Sequence, residues 1–91
     1  MTRRPFVTGQ FERDTRLMKR RGKDMSKLRA VMDAITCGER LPENLRDHHL
    51  KGEWRGRREC HVEPDWLLIY LLRGEDEVVF ERTGRHTDLF E

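Results

Sequence analysis

The sequence predicts an α+β domain in which two N-terminal helices pack on a small antiparallel sheet, in the order β-α-α-β-β-β. Apolar residues recur with helical spacing in the first half of the chain. In the second half they alternate with polar residues or run continuously, as in strands, and short turns separate these segments. With 91 residues and no repeat or linker, the chain is expected to form a single domain, 1–91.

The first predicted elements are a short strand at residues 4–7 and a helix directly after it. Thr8 is well placed to cap the helix, because its hydroxyl can accept a hydrogen bond from a free N–H of the first turn. The helix is expected to begin near Gly9 and to end at Gly22, since glycine is a poor helix former and a common helix terminator.

The second predicted helix has the clearest apolar pattern in the chain. Either Asp24 or Ser26 can cap its start. Its apolar positions follow the spacing i, i+3, i+4 and i+7: Leu28, Val31, Met32 and Ile35. Gly38 stands where a helix-ending glycine is expected, so this helix should bury one face against the sheet.

Three strands are predicted in the second half. Residues 54–60 alternate in polarity, which is typical of a strand with one exposed face. Residues 66–72 are apolar on both faces, as in a central strand, and residues 78–83 form the last strand. Pro64 and the stretch 74–77 supply the turns of two hairpins, so these strands should pair antiparallel.

Composition excludes several classes of protein. Charged residues make up 40% of the chain, against about 25% in an ordinary domain. Leu, Ile, Val and Phe number 21 of 91 residues, just above the roughly 20% below which high charge indicates disorder. No apolar run reaches the roughly 18 residues of a membrane span and no signal peptide is evident, so we expect a cytoplasmic protein with no membrane partner. Cys37 and Cys60 are too few for a secreted disulfide scaffold.

The charges divide unevenly along the chain. Residues 1–50 hold 12 Lys and Arg against 7 acidic residues, whereas residues 51–91 hold 7 against 10. Such basic density attracts a polyanion, because neutralised phosphates release condensed counterions, although a solvated helix face is the alternative. The candidate RNA-contacting cations are Arg13, Arg16, Lys19, Arg20, Arg21, Lys23, Lys27, Lys51, Arg55 and Arg57.

All four histidines lie late in the sequence, at positions 48, 49, 61 and 86. His61 ends a predicted strand and Asp65 lies in the turn after it, so the two are expected to be close. If the strands pair as predicted, several strand ends converge at one edge or face of the sheet. Trp66 and Phe90 are candidates to stack on an unpaired base, with packing in the core or at a sheet edge as the alternative.

This set of side chains suits RNA cleavage by the RNA's own 2′-hydroxyl. That reaction needs a base for the hydroxyl, an acid for the leaving 5′-oxygen and a cation for the phosphorane, and histidine and arginine can supply them. His48, His61, Asp65 and His86 are also acceptable zinc ligands. No H-x-x-x-H or C-x-x-C pair anchors a metal site, so neither a metal nor another cofactor is expected.

Four segments together resemble the YafQ branch of the RelE/ParE toxin superfamily: K-D-M-S-K-L at 23–28, D-H-H-L-K-G at 47–52, H-V-E-P-D-W at 61–66 and F-E-R-T-G-R-H at 80–86. They follow the right order over nearly the whole chain, and the last two are the specific ones. The resemblance implies the toxin of a type II toxin-antitoxin system, a ribosome-dependent mRNA endoribonuclease that inhibits translation. It also implies a RelE-like, microbial-ribonuclease-like fold and no metal.

The resemblance further implies which residues act. The catalytic set that it gives is His48, His61, Asp65, Arg82, His86 and Phe90. Within it we expect His86 as the general acid and His61 with Asp65 as the base side. His48 would orient or neutralise the phosphate, and Arg82 would stabilise it. Family members have proline after the first histidine, where this chain has His49, which leaves open whether His49 is idle or shares the role of His48.

The implied partners are the ribosome with its 16S rRNA, mRNA and a cognate antitoxin. The antitoxin is expected to carry an acidic, partly disordered segment that folds over the basic face, and to supply DNA binding. The alternative function is a ParE-like toxin that inhibits DNA gyrase without hydrolysis, against which the late histidines argue. A third possibility is a basic nucleic-acid-binding module with incidental histidines.

Overall fold

The computed structural model describes residues 2–90 and contains one five-stranded sheet with three helices. The strands are β1 (Arg4–Val7), β2 (His48–His49), β3 (Arg58–Glu63), β4 (Trp66–Arg73) and β5 (Glu77–Gly84). The helices are α1 (Gly9–Arg20), α2 (Met25–Thr36) and the short α3 (His86–Phe90). Two single-turn 3₁₀ helices lie at Glu43–Leu45 and Gly52–Trp54.

The strand order across the sheet is β1-β5-β4-β3-β2. The prediction that residues 66–72 form a central strand is confirmed, because β4 has β3 on one side and β5 on the other. The sheet is mixed, however, since β1 pairs parallel to β5 while the other pairs are antiparallel. Parallel pairing is possible here because two helices separate β1 from the hairpins, and a parallel neighbour needs a long crossover.

The strand predicted at residues 54–60 is displaced toward the C-terminus and is observed at Arg58–Glu63. It begins at Arg58, and residues 52–54 form a 3₁₀ turn where the alternating pattern predicted the start of a strand. Gly52 and Gly56 explain the difference, because their φ values of 68° and 94° lie in the left-handed region and interrupt an extended chain. The pattern also missed β2, a two-residue edge strand, and α3.

The helix boundaries follow the predicted signals. The hydroxyl of Thr8 accepts a hydrogen bond from the third residue of α1 at 2.9 Å. Of the two candidate caps for α2, Asp24 is the one used, since its carboxylate accepts from the N–H of Ser26 at 3.0 Å. Gly22 and Gly38 follow the two helices at φ 84° and 75°, the conformation that a helix-ending glycine adopts.

The two faces of the sheet differ. We call the face covered by α1 and α2 the closed face; its buried cluster comprises Phe11, Met18, Leu28, Val31, Ile35, Cys60, Trp66, Leu68, Tyr70, Val78 and Phe80. We call the other the open face; there Leu67 and Ile69 meet Leu89 of α3, with Leu50, Trp54 and Phe90 partly buried beside them. Cys60 faces the closed side, as predicted. No helix within residues 2–90 is long and apolar enough to cross a membrane.

Candidate functional site

Two of the predicted histidines meet at Glu59, a carboxylate absent from the predicted site. The register places His48 opposite Glu59, and His61 lies two residues further along β3, so all three side chains share one face. Ile69 opposes Glu59 and belongs to the open-face cluster, which identifies that face. The Glu59 carboxylate lies 3.4 Å from His48 Nε2 and 3.8 Å from His61 Nε2.

The orientation of both imidazoles is set by backbone carbonyls. Nδ1 of His48 lies 2.6 Å from the Arg46 oxygen, and Nδ1 of His61 lies 3.1 Å from the Pro64 oxygen. A carbonyl can only accept, so Nδ1 carries the proton in each ring and Nε2 is the nitrogen that can gain or lose one. Both exchangeable nitrogens therefore point toward Glu59, whose side chain is only 9% exposed.

Glu59 could have been found from its spacing to His61. Residues at i and i+2 of a strand lie on one face, so the carboxylate shares the face of the predicted histidine. The alternation at 54–60 instead placed Glu59 on the polar face of the strand, which was expected to be exposed. In the structure Glu59 is buried, with 7% of the residue exposed, and its carboxylate lies beside both imidazoles.

His86, Asp65 and Phe90 form a second group on α3 and the turn before β4. The backbone N–H of His86 donates to Asp65 Oδ1 at 3.2 Å. The His86 ring lies 5.0 Å from the Phe90 ring, which in turn meets Trp54 edge-on at 6.0 Å. The structure thus joins Asp65 to His86 through a hydrogen bond, whereas the sequence paired Asp65 with His61.

The short helix α3 is fixed to the rest of the protein by Asp88. Its carboxylate accepts from the backbone of Arg85 at 2.8 Å and pairs at 2.7 Å with Arg21, the residue that caps the C-terminus of α1. The Arg21 hydrogen bond holds the pKa of Asp88 below its usual value. A Cβ on Gly84 would lie 3.1 Å from Asp88 Cβ, so a larger residue there would require Asp88 to shift. These contacts set the position of His86.

His49 lies on the face opposite to His48. The register pairs it with Arg58, and its Nε2 lies 2.8 Å from an Arg58 nitrogen, from which it must accept because arginine only donates. Arg58 also pairs with Asp47 at 2.9 Å. The side chain of His49 is thereby directed away from His61, so the structure does not place it with the other imidazoles.

The zinc alternative has no ligand cluster in the structure. His48 and His61 meet at Glu59, whereas Asp65 contacts His86, so the four proposed ligands do not converge on one point. Within residues 2–90, no group of three or more His, Cys, Asp and Glu side chains is arranged to hold a metal ion.

Trp66 requires a correction. The sequence offered it as a base-stacking residue, but it is fully buried in the closed-face core. Its indole N–H donates to Thr83 Oγ1 at 2.9 Å, and Lys23 lies over its ring. No ring face is open to RNA, so the alternative of core packing is the right one.

The predicted basic residues fall into two groups. Four are paired with carboxylates: Arg21 with Asp88, Lys23 and Lys27 with Glu63, and Arg57 with Glu81. The others are exposed and make no ion pair within residues 2–90: Arg13, Arg16, Lys19, Arg20, Lys51 and Arg55. Four of these lie on α1, so that helix carries a cluster of exposed cations.

The fold and the site define a class: a small α+β protein with imidazole and carboxylate groups on an open sheet face. Comparison with known proteins identifies the family to which the chain belongs. A family model described as "Bacterial toxin of type II toxin-antitoxin system, YafQ" matches residues 3–91. The "mRNA interferase toxin YafQ" of Escherichia coli strain K12 is 46% identical over 85 residues, covering 91% of this chain and 90% of that protein. The chain belongs to the YafQ family of toxins.

Solved structures give the same result for the fold. The toxin chain matched in the crystal structure of the E. coli DinJ-YafQ toxin-antitoxin complex superposes with a TM-score of 0.91 at 42% identity, with 100% of both chains covered. A metal-bound toxin from Helicobacter pylori superposes with a TM-score of 0.89 at 30% identity, covering 99% of this chain and 100% of that one.

Proposed function

We propose that this protein is the toxin of a type II toxin-antitoxin system and acts as a ribosome-dependent mRNA endoribonuclease. The observation that carries the proposal is the arrangement of the open face, where His48 and His61 surround Glu59 and where His86 adjoins Asp65. Membership of the YafQ family supports it, because the E. coli relative is named an mRNA interferase toxin.

The proposed reaction is attack by the 2′-hydroxyl of the RNA on its neighbouring phosphate. A base removes the hydroxyl proton, the 2′-oxygen bonds to phosphorus, and the bond to the 5′-oxygen breaks as an acid protonates that oxygen. The products are a 2′,3′-cyclic phosphate end and a 5′-hydroxyl end. Cationic donors stabilise the charge on the phosphorane.

His61 and Glu59 form the base side in this scheme. Nε2 of His61 is free to accept the proton because Nδ1 donates to the Pro64 carbonyl. The negative charge of the nearby Glu59 carboxylate then stabilises the imidazolium that forms. This revises the pairing predicted from sequence, since Asp65 now holds the backbone of His86.

His86 is the proposed general acid, and Phe90 beside it offers a ring for a flanking base. His48 can take up a second proton at Nε2 and would then present positive charge to the phosphate. Arg82 on β5 is the proposed phosphorane ligand. No metal or other cofactor takes part in this scheme.

The proposed partners follow from the charges. The exposed cations of α1 would dock on 16S ribosomal RNA and mRNA in the cytoplasm. A cognate antitoxin with an acidic, partly disordered segment would cover this basic surface and would supply DNA binding. The solved E. coli relative in complex with DinJ supports an antitoxin partner.

The test maps the ends produced on ribosome-bound messages. Toxin is first freed of transition metals by chelation and desalting, then incubated with translating ribosomes. In-frame cuts that bear 2′,3′-cyclic phosphates are expected, and His86→Ala should reduce cleavage by about 100-fold or more. The amount of His86→Ala toxin recovered in complex with the antitoxin should equal the amount recovered for the wild type.

Three outcomes would contradict the proposal. Equal cleavage by His86→Ala would remove the assigned acid. A need for added transition metal would contradict the metal-free scheme. Inhibition of gyrase supercoiling without any cleavage would favour the ParE-like alternative.

A further inference from the structure

Asp14 of α1 reaches a part of β5 that is paired with β4 on one side but has no strand on the β1 side. β1 pairs with residues 77–80 of β5 and ends there. Beyond that point the Asp14 carboxylate accepts from the backbone N–H of Thr83 at 3.1 Å and from Gln10 at 3.0 Å. It also accepts from Arg82 Nε at 2.8 Å and from Arg82 Nη2 at 3.3 Å. Only 7% of Asp14 is exposed, so these hydrogen bonds form a largely buried network.

The contact uses one edge of the Arg82 guanidinium and leaves another edge open. A guanidinium is planar and carries five N–H donors, and both its Nε–Nη2 edge and its Nη1–Nη2 edge can bind an oxyanion with two hydrogen bonds. Asp14 occupies the first edge. Within residues 2–90, Nη1 of Arg82 has no hydrogen-bond partner, and the side chain is 25% exposed.

The register places Arg82 on the same sheet face as the site. Arg82 is paired with Ile69, and directly opposite residues of antiparallel strands project from the same face. Ile69 belongs to the open-face cluster, and on its other side it is paired with Glu59. Arg82 therefore projects from the face that carries the imidazoles, with its orientation fixed from the sheet edge by Asp14.

We propose that Asp14 is a positioning residue for the cleavage reaction. It holds the Arg82 guanidinium so that the Nη1–Nη2 edge meets the scissile phosphate with two hydrogen bonds. This inference rests on the proposed function. Because fixed donors need no rearrangement as charge develops on the phosphorane, the effect falls on the rate of the chemical step.

A purely structural role for Asp14 is the competing explanation, since it also caps the Thr83 N–H. Asp14→Asn separates the two, because the amide keeps an oxygen for Thr83 while it loses the charge and one acceptor for Arg82. Single-turnover cleavage and message affinity are measured for the wild type, Asp14→Asn, Arg82→Ala and the double variant. Glu77→Gln is the control, since Glu77 pairs with Arg4 and Arg73 at the other end of β5.

We expect the effects of the Asp14 and Arg82 substitutions on the cleavage rate to be non-additive. Asp14→Asn should slow the cleavage step by about 10- to 100-fold, with message affinity nearly unchanged, and the double variant should be no slower than Arg82→Ala. Glu77→Gln should cleave at the wild-type rate. Arg82→Lys, which leaves Asp14 in place, should be nearly as slow as Arg82→Ala, because one ammonium cannot reproduce two paired edges.

Each other outcome has a defined meaning. Wild-type speed in Asp14→Asn or in Arg82→Lys would overturn the inference. So would a double variant slowed by the product of the two single losses, since Asp14 would then act independently of Arg82. Absence of cyclic-phosphate ends with the wild-type toxin would instead contradict the proposed function itself.

Discussion

The two faces of the sheet have different roles: the closed face stabilises the fold, and the open face carries the proposed catalytic groups. The closed face buries aromatic and aliphatic side chains beneath α1 and α2, whereas the open face has a smaller apolar cluster, covered in part by α3. Burial of apolar area is the main source of folding free energy. The closed face therefore supplies most of the stability, and this frees the open face to carry polar groups that would be costly in a core.

The same division is visible between adjacent residues of one strand. Glu59 faces the open side and lies near two imidazoles, while Cys60 faces the closed side and is fully buried. Burial raises the pKa of the Cys60 thiol to about 12, so it stays a protonated, unreactive core residue. His48 and His49 separate in the same way. Whether a side chain can take part in a reaction therefore depends on the face of the sheet that carries it as much as on its residue type.

The largest expected effect is loss of closed-face packing. Phe80 is fully buried, with its ring 6.0 Å from Phe11 and 6.5 Å from Tyr70. Phe80→Ala should lower the free energy of unfolding by about 3–5 kcal/mol, because it removes buried area and leaves a cavity. Chemical denaturation followed by far-UV circular dichroism measures this loss.

Phe90 on the open face is the matched control, since it is the same residue type and only partly buried. Phe90→Ala should cost less than half as much stability. Equal losses at the two positions would mean that the faces do not differ as proposed.

The next largest effect concerns activity and not stability. Glu59→Gln keeps the shape of the side chain but removes the charge that faces His48 and His61. Cleavage of ribosome-bound mRNA should fall by about 100-fold or more, while the thermal midpoint changes little. His49→Ala, one strand away but on the closed side, should retain wild-type cleavage. Activity that depends on His49 and not on Glu59 would refute the assignment of the open face.

Much of the fold could be predicted because local signals agree with the final packing. The caps at Thr8 and Asp24 and the apolar stripe of α2 depend on neighbours a few residues away, which sequence spacing reveals. The parallel pairing of β1 with β5 could not be read in this way. It joins residues more than 70 positions apart, Arg4 with Glu77 among them, and no turn sequence specifies it.

The site shows the same limit. The histidines could be chosen by residue type and by the family resemblance, but their partners depend on register and on turn geometry. Glu59 was missed because the alternation placed it on a face expected to be exposed, whereas pairing with β2 brings His48 opposite it. Asp14 lies 68 positions from Arg82, so only the folded chain shows that they pair.

The smallest expected effect is a pH dependence of stability, which arises where Glu63 of the sheet pairs with lysines of the first half of the chain. Glu63, at the end of β3, accepts hydrogen bonds from Lys27 and Lys23, each at 2.9 Å. These contacts, that of Lys27 first, hold the pKa of Glu63 below its ordinary value of 4.5. A lowered pKa in the folded state means that the ionised carboxylate stabilises the fold above the unfolded value, and that this contribution is lost as the pH falls through the folded value.

Glu63→Gln should therefore melt slightly below the wild type at pH 7, and the difference should close as the pH falls below about 4.5. Effects of the other carboxylates are common to both proteins and cancel in the comparison. Glu75→Gln is the control, because Glu75 is exposed and makes no ion pair within residues 2–90, so its melting curve should follow the wild type at every pH. A gap for Glu63→Gln that persists in acid would show that Glu63 contributes through packing, in which case the lysines of the first half of the chain are not held to the sheet by charge.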